Sequence, residues 1–173
     1  MTMRKPEDLD VLRARYGRGP NVFVESGTFH GKTTRWALAR FHDVHTIELS
    51  EELFAQNATD LAKLGARCHK GDSREIIPRL AGEIHEPVMW FLDAHWLNRP
   101  GAAGQDTPLP LEDELTAIAA RPYRDVVIVD DVASFGREDY QPGWGEVSLQ
   151  WIGAFFPGHR DALKYKDVAV VYR

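Results

Sequence analysis

The stretch Asn21 to Thr34, NVFVESGTFHGKTT, decides how the rest of the chain is read. Val22, Phe23 and Val24 form a short apolar run of strand-forming residues. Gly27 and Gly31 then lead into Thr33 to Phe41, where Trp36, Leu38, Ala39 and Phe41 suggest a helix. Strand, glycine loop and helix in that order make a ligand-binding turn. Glycine lets a ligand approach the backbone, and N–H groups at a helix start carry partial positive charge. Three patterns compete for this turn. A dinucleotide fingerprint requires G-x-G-x-x-G, but here only Gly27 and Gly31 are present, with Thr28, Phe29 and His30 between them. A Walker A loop ends as Gly31, Lys32 and Thr33 do, yet Ser26 stands at its first glycine. The third pattern is an acid at the strand end followed by G-x-x-x-G: Glu25, Gly27 and Gly31.

Outward from this turn, the chain alternates strands with helices. Pro6, Glu7 and Asp8 open a helix carrying Leu9, Val11, Leu12 and Tyr16, read as an apron over the sheet edge or ligand mouth. Residues 1–20 thus form an N-terminal helical segment. Val44 to Leu49 reads as a second strand, and Ser50 starts a helix that Gly65 stops. A third strand is expected over Ala66 to His69, with Ser73 capping a helix from Arg74 to Ile84 that Pro78 kinks or shortens. Val88 to Leu92 and Val126 to Val129 are continuous apolar runs, as in central parallel strands covered on both faces. Between them, Ala94 to Pro110 is rich in Gly and Pro and reads as a lid holding Arg99, Asp106 and Thr107. Helices are expected over Leu111 to Ala120 and Val147 to Phe156, and a last strand over Val168 to Tyr172. The whole predicts an α/β, Rossmann-like open sheet, mostly parallel, with helices on both faces.

With 173 residues and 43% apolar content, the chain is long enough for one domain, 1–173, with a full core. Its single cysteine, Cys68, excludes an internal disulfide and points to a reducing, cytoplasmic setting, with the thiol acting as a small hydrophobe. No membrane span or signal peptide is apparent. The formal charge of -5 supplies no basic field, which disfavours nucleic acid as a partner. A homodimer is left open.

Acids at strand ends carry the functional signal. Glu25, Glu48, Asp72, Asp93 and Asp130 each close a predicted strand, and in a parallel sheet those ends share one rim. Glu48 follows Gly31 by 17 residues, near the spacing of an acid that accepts ribose hydroxyls. Each acid alone could equally be a helix cap or turn former. His30 is read as a cap rather than a substrate group, and Trp90 as core. Trp96, Phe135, Tyr140, Trp144 and Trp151 fall on or near rim loops. His42, His45, His69, His85 and His159 lack zinc-ligand spacing.

The acid and glycine pattern resembles the first motif of class I S-adenosyl-L-methionine (SAM) dependent methyltransferases. Further motifs, E-x-G-T, T-I-E-L-S, G-D-S and L-D-A-H, are similar to those of small bacterial methyltransferase-like proteins. The resemblance implies SAM as cofactor, held by Glu25, Gly27, Thr28, Gly31, Glu48, Leu49, Asp72 and Ser73. Over about Val22 to Gly136, MWFLDAHW and VVIVDDVASFG look like motifs of catechol-type and macrolide-sugar O-methyltransferases, in which acids after two strands bind Mg²⁺. Carried over, Asp93, Asp130 and Asp131 would be ligands to Mg²⁺, and a hydroxyl of a small molecule or glycan would be the acceptor. Catechol-type enzymes have a lysine base after the first of these acids. Here His95 stands in for it, beside Asp93. A P-loop nucleotide enzyme and a SAM-binding module without catalysis are the competing readings.

Overall fold

A computed structural model describes residues 6–16, 19–95, 109–138, 143–158 and 162–172. Seven strands form one sheet: β1 (Val22–Ser26), β2 (Asp43–Glu48), β3 (Arg67–Lys70), β4 (Val88–Leu92), β5 (Val126–Val129), β6 (Leu163–Tyr165) and β7 (Val168–Tyr172). Their order is β3-β2-β1-β4-β5-β7-β6. The first five pair in parallel, and the β6–β7 hairpin adds antiparallel to β5. The expected mostly parallel Rossmann-like sheet is therefore present. Strand β6 was not foreseen, because Leu163, Lys164 and Tyr165 lack an apolar run and lie on the sheet edge, half-exposed or exposed.

Two apolar clusters sandwich the sheet. On one face, α4 (Ser73–Glu83), α5 (Leu111–Ala119) and α6 (Leu149–Ala154) bring Ile77, Leu80, Leu115, Ile118 and Ile152 against Val24, Trp90 and Val127. On the other face, α1 (Pro6–Tyr16) and α2 (Lys32–Leu38) bring Leu9, Leu12, Trp36 and Ala37 against Phe23, Met89, Ile128 and Val170. Alternation along β1 sends Val24 one way and Phe23 the other, so each strand contributes to both layers. Trp90 is fully buried, as the sequence indicates. Helix α1 packs on a sheet face beside α2 and reaches the β6–β7 hairpin at the sheet edge. Asp10 ties it to Arg40 at 2.5 Å and to the Trp36 indole at 3.1 Å, and Asp8 pairs with Lys166.

Local chemistry moves several boundaries. Asp72, not Ser73, caps α4, accepting from the Arg74 backbone N–H at 2.9 Å, so the helix starts one residue early. Helix α4 also runs through Pro78, which neither shortens nor divides it. Ser148 caps α6 by accepting from Trp151 N at 3.0 Å, leaving Val147 outside the expected helix. At the far end of the sheet, Arg121 is 5% exposed and binds Asp125 at 2.7 Å. It also donates to the carbonyls of Ala81, Ile84 and Glu86, while Asp125 accepts from Val88 N and the Trp90 indole. This network locks the strand ends away from the crevice.

Candidate functional site

The strand order reverses between β1 and β4, the point at which an open α/β sheet forms its ligand crevice. Ser26 and Leu92 are partners in register at the carboxyl ends of those strands. Beyond them the glycine loop folds against the start of the β4 loop. A Cβ placed on Gly27, whose φ is +87°, would meet the Asp93 carbonyl oxygen at 2.3 Å. Only glycine fits there, for want of both space and a permitted backbone.

The loop is fastened by acids and threonines. Glu48 Oε2 accepts from Phe29 N at 2.8 Å, and Oε1 accepts from Ser50 N at 2.8 Å. Each carboxylate oxygen has a second lone pair, so Glu48 keeps acceptor capacity for ribose hydroxyls. Asn57, on α3 (Glu51–Lys63), holds the Phe29 carbonyl at 2.9 Å, and Phe29 takes a left-handed backbone with φ 46°. Thr28 Oγ1 lies 2.6 Å from Thr46 Oγ1. Glu25 is turned inward beneath α2, 1% exposed, accepting from Thr34 at 2.5 Å and Thr46 at 2.9 Å. Burial raises its carboxyl to about 7, against the pull of those hydroxyls. Leu49, half-buried, follows Glu48 out of the sheet. Asp72 faces Arg74 at 2.6 Å, a partner that holds its carboxyl below the usual range.

These bonds decide against a phosphate cradle. Gly27 N and Thr28 N donate to Ile47 O at 3.0 Å, Phe29 N to Glu48, and Gly31 N to Thr28 O at 2.7 Å. A P-loop presents those N–H groups to phosphate. Here they are committed to the protein, Glu48 stands beside them, and Lys32 is exposed on the first turn of α2. His30 does not cap that helix. Gly31 is the N-cap, without a side-chain bond, and the His30 ring packs on Phe29 at 3.9 Å.

The loops after β4 and β5 bring Asp93, His95, Asp130 and Asp131 together. His95 Nε2 lies 2.6 Å from Asp131 Oδ2 and Nδ1 lies 3.3 Å from Asp93 Oδ1, with the imidazole side chain 5% exposed. Desolvation alone would lower the imidazole, but the bond to Asp131 and the charges of Asp93, Asp131 and Asp130 raise it to about 9. Burial, helped by the charge of Asp130, pushes Asp93 well above the usual carboxylate range, and burial, helped by the charge of Asp131, raises Asp130 to about 7. Trp144 lies edge-on to His95 at 5.6 Å. The turn after β5 is held from below: Asp167 O accepts from Val132 N at 2.9 Å and Asp167 Oδ1 from Ala133 N at 2.9 Å.

This arrangement does not fit the Mg²⁺ site that the resemblance implies. Among the described residues no group of three or more ligating side chains is arranged around an ion position. An imidazole stands between Asp93 and Asp131 and supplies the positive charge these acids require, while Asp130 Oδ1 accepts from Asp131 N at 2.8 Å. Trp96, Arg99, Asp106 and Thr107, expected from the sequence to lie in a lid, fall outside the described residues, as do Tyr140 and His159.

Two relationships escaped the sequence. Glu114 on α5 is 1% exposed beside Ser26 and Ser73, and its place on the stripe Leu111, Leu115, Ile118 was the available signal. His45 Nδ1 and His69 Nε2 meet at 3.0 Å across β2 and β3, a pairing that linear spacing cannot show. No described helix is long and apolar enough to cross a membrane.

No family model matches the sequence, and no curated protein matches it. Solved structures do match in shape. SMU.1697c from Streptococcus mutans, in complex with SAH, has a TM-score of 0.70 and 12% identity, covering 99% of both chains. The O-methyltransferase from Bacillus cereus, also in complex with SAH, has a TM-score of 0.65 and 20% identity, covering 100% of this chain and 82% of that one. DesVI from Streptomyces venezuelae has a TM-score of 0.52 and 19% identity over 80% of this chain. The chain spans only about half, 53%, of DesVI's length. With its strand order, its antiparallel β7 and a glycine turn at the switch between β1 and β4, this chain has the class I methyltransferase fold.

Proposed function

We propose that the chain is a SAM-dependent methyltransferase that methylates a hydroxyl of a small molecule or sugar, with His95 as base. The observation that carries this reading is the meeting of Glu48, Gly27 and the pair His95–Asp131 around one crevice. The residues suit the cofactor: Glu48 retains lone pairs for a ribose, Gly27 allows close approach, and the acidic lining matches a cation. Bound SAM would supply an electrophilic methyl group on a positively charged sulfur. SAH in the Bacillus cereus O-methyltransferase supports this reading by likeness of fold.

Asp131 orients the His95 ring through the 2.6 Å ion pair at Nε2, and the ring, once neutral, is the group that takes an acceptor's hydroxyl proton. A cation entering beside the imidazolium lowers its proton affinity, so a cofactor carrying positive charge moves His95 toward its basic form. Glu25 acts on the loop from behind, through Thr34 and Thr46, rather than from the crevice. Asp93 and Asp130 place two further carboxyl groups near the ring.

Calorimetry with SAM, SAH and ATP tests the cofactor, and release of SAH over a panel of hydroxylated compounds tests the reaction. Binding of SAM and SAH is expected, weakened at least tenfold by Glu48→Ala. Turnover is expected to fall in His95→Asn while SAH affinity is kept. Stabilisation by ATP and not by SAM would overturn the reading. SAM binding with turnover unchanged in His95→Asn would remove His95 as base.

A further inference from the structure

Asp72 and Glu48 stand close together at the carboxyl end of the sheet. Strand β3 runs beside β2, and Gly71 N, one residue before Asp72, donates to Glu48 O at 3.0 Å. The two carboxylates are used differently. Glu48 accepts one backbone N–H on each oxygen, whereas Asp72 carries two contacts on each. Its Oδ1 accepts from Arg74 N at 2.9 Å and Nε at 3.1 Å, and its Oδ2 from Arg74 Nε at 3.0 Å and Nη2 at 2.6 Å. A carboxylate has about four lone-pair sites, so Arg74 fills Asp72 and leaves no acceptor for an exocyclic amine.

Arg74 itself keeps unused capacity. Its side chain is 30% exposed, which leaves it open to a ligand, while Nε and Nη2 pin the guanidinium in one plane. Among the described residues Nη1 makes no hydrogen bond, and no aromatic ring covers the guanidinium. Guanidinium planes stack on nucleic-acid bases. A fork already fixed by a carboxylate loses little further freedom in doing so.

Resting on SAM as the cofactor, we propose that Arg74 binds the adenine base through the face of its guanidinium, and that Asp72 is a positioning residue that fixes Arg74 without meeting the base. Glu48 then serves the ribose, and the rim follows the cofactor from sugar to base. The alternative, in which the Asp72 carboxylate accepts the adenine amine directly, has the opposite consequence. Removing the guanidinium would uncover that carboxylate and keep or tighten binding, whereas loss of a stacking partner weakens it.

Calorimetry with SAH and with 5′-methylthioadenosine, which keeps the base and ribose but lacks the amino-acid end, tests the assignment. Both are expected to bind Arg74→Ala on the order of tenfold more weakly than the unaltered protein, by the same factor, because the lost contact is to the base they share. The substitution leaves the helix cap on the residue 74 backbone N–H in place. Arg74→Lys, which keeps the charge without the plane, should show the same loss and serves if the Ala variant does not fold. Unchanged or tighter binding of SAH by Arg74→Ala, or full affinity in Arg74→Lys, would overturn the proposal and leave the SAM reading standing. So would 5′-methylthioadenosine that binds both proteins alike or neither. Failure of SAH to bind the unaltered protein would overturn both.

Discussion

His95 Nε2 lies 2.6 Å from Asp131 Oδ2, and Asp131 offers that oxygen from a left-handed backbone, φ 59°. Asp adopts this conformation more readily than most residues. The 3-10 turn that follows, Val132–Ser134, is tied to Asp167 by two hydrogen bonds, so the oxygen is aimed by the fold rather than by a flexible loop.

A pH profile follows from this pair. With the imidazole raised to about 9, a base at His95 is mostly protonated at neutral pH, and kcat/KM should climb about tenfold per pH unit up to about 9. Asp131→Asn should move that limb to lower pH and reduce the plateau. The stability sign agrees: the raised group stabilises the fold fully below its ordinary value of 6.5, and this is lost as pH rises through about 9. NMR titration of the His95 ring carbons gives an independent measure.

Glu25 gives a second pH effect. Its carboxyl is raised from 4.5 to about 7, so ionising it costs stability that is intact below 4.5 and fully lost above about 7. Glu25→Gln keeps the shape without the charge. Its melting temperature should rise by on the order of 5 °C at pH 8 and hardly change at pH 5. Scanning fluorimetry at the two pH values decides it.

Gly27→Ala places a methyl group 2.3 Å from the Asp93 carbonyl at φ +87°. A loss of about 1–3 kcal/mol in urea unfolding is expected, together with loss of SAH binding. Gly136→Ala has φ +77° but nothing within 4 Å, so it should show the backbone cost alone and leave binding intact.

Arg121→Met should be the most damaging of these changes. It strips Asp125 of its 2.7 Å partner and leaves three carbonyls without their donor, all far from the crevice. Breaking such a buried pair costs about 3–5 kcal/mol, read from urea unfolding. SAH affinity of the folded fraction should be unchanged.

The layering of the fold was legible because Val88–Leu92 and Val126–Val129 are apolar throughout, and because acids close the parallel strands. Chain order could not show which way those acids point. Glu25 and Glu48 both end strands, yet one is buried under α2 with threonine hydroxyls and the other faces the loop backbone. Three acids in the sequence pattern of Mg²⁺ ligands became an imidazole clamp, since His95 is two residues from Asp93 and can fold back between the carboxylates. Glu114 sits among Glu112 and Asp113, so its burial was concealed in an ordinary acidic first turn.

Asp167 immediately precedes β7, whose Ala169 to Tyr172 pair with β5. Organisation of the turn bearing Asp131 therefore waits for the segment through Tyr172 to emerge from the ribosome. A chain cut before Asp167 retains the residues of its five parallel strands but loses both acceptors that hold Val132 and Ala133, and with them the aim of Asp131 at His95.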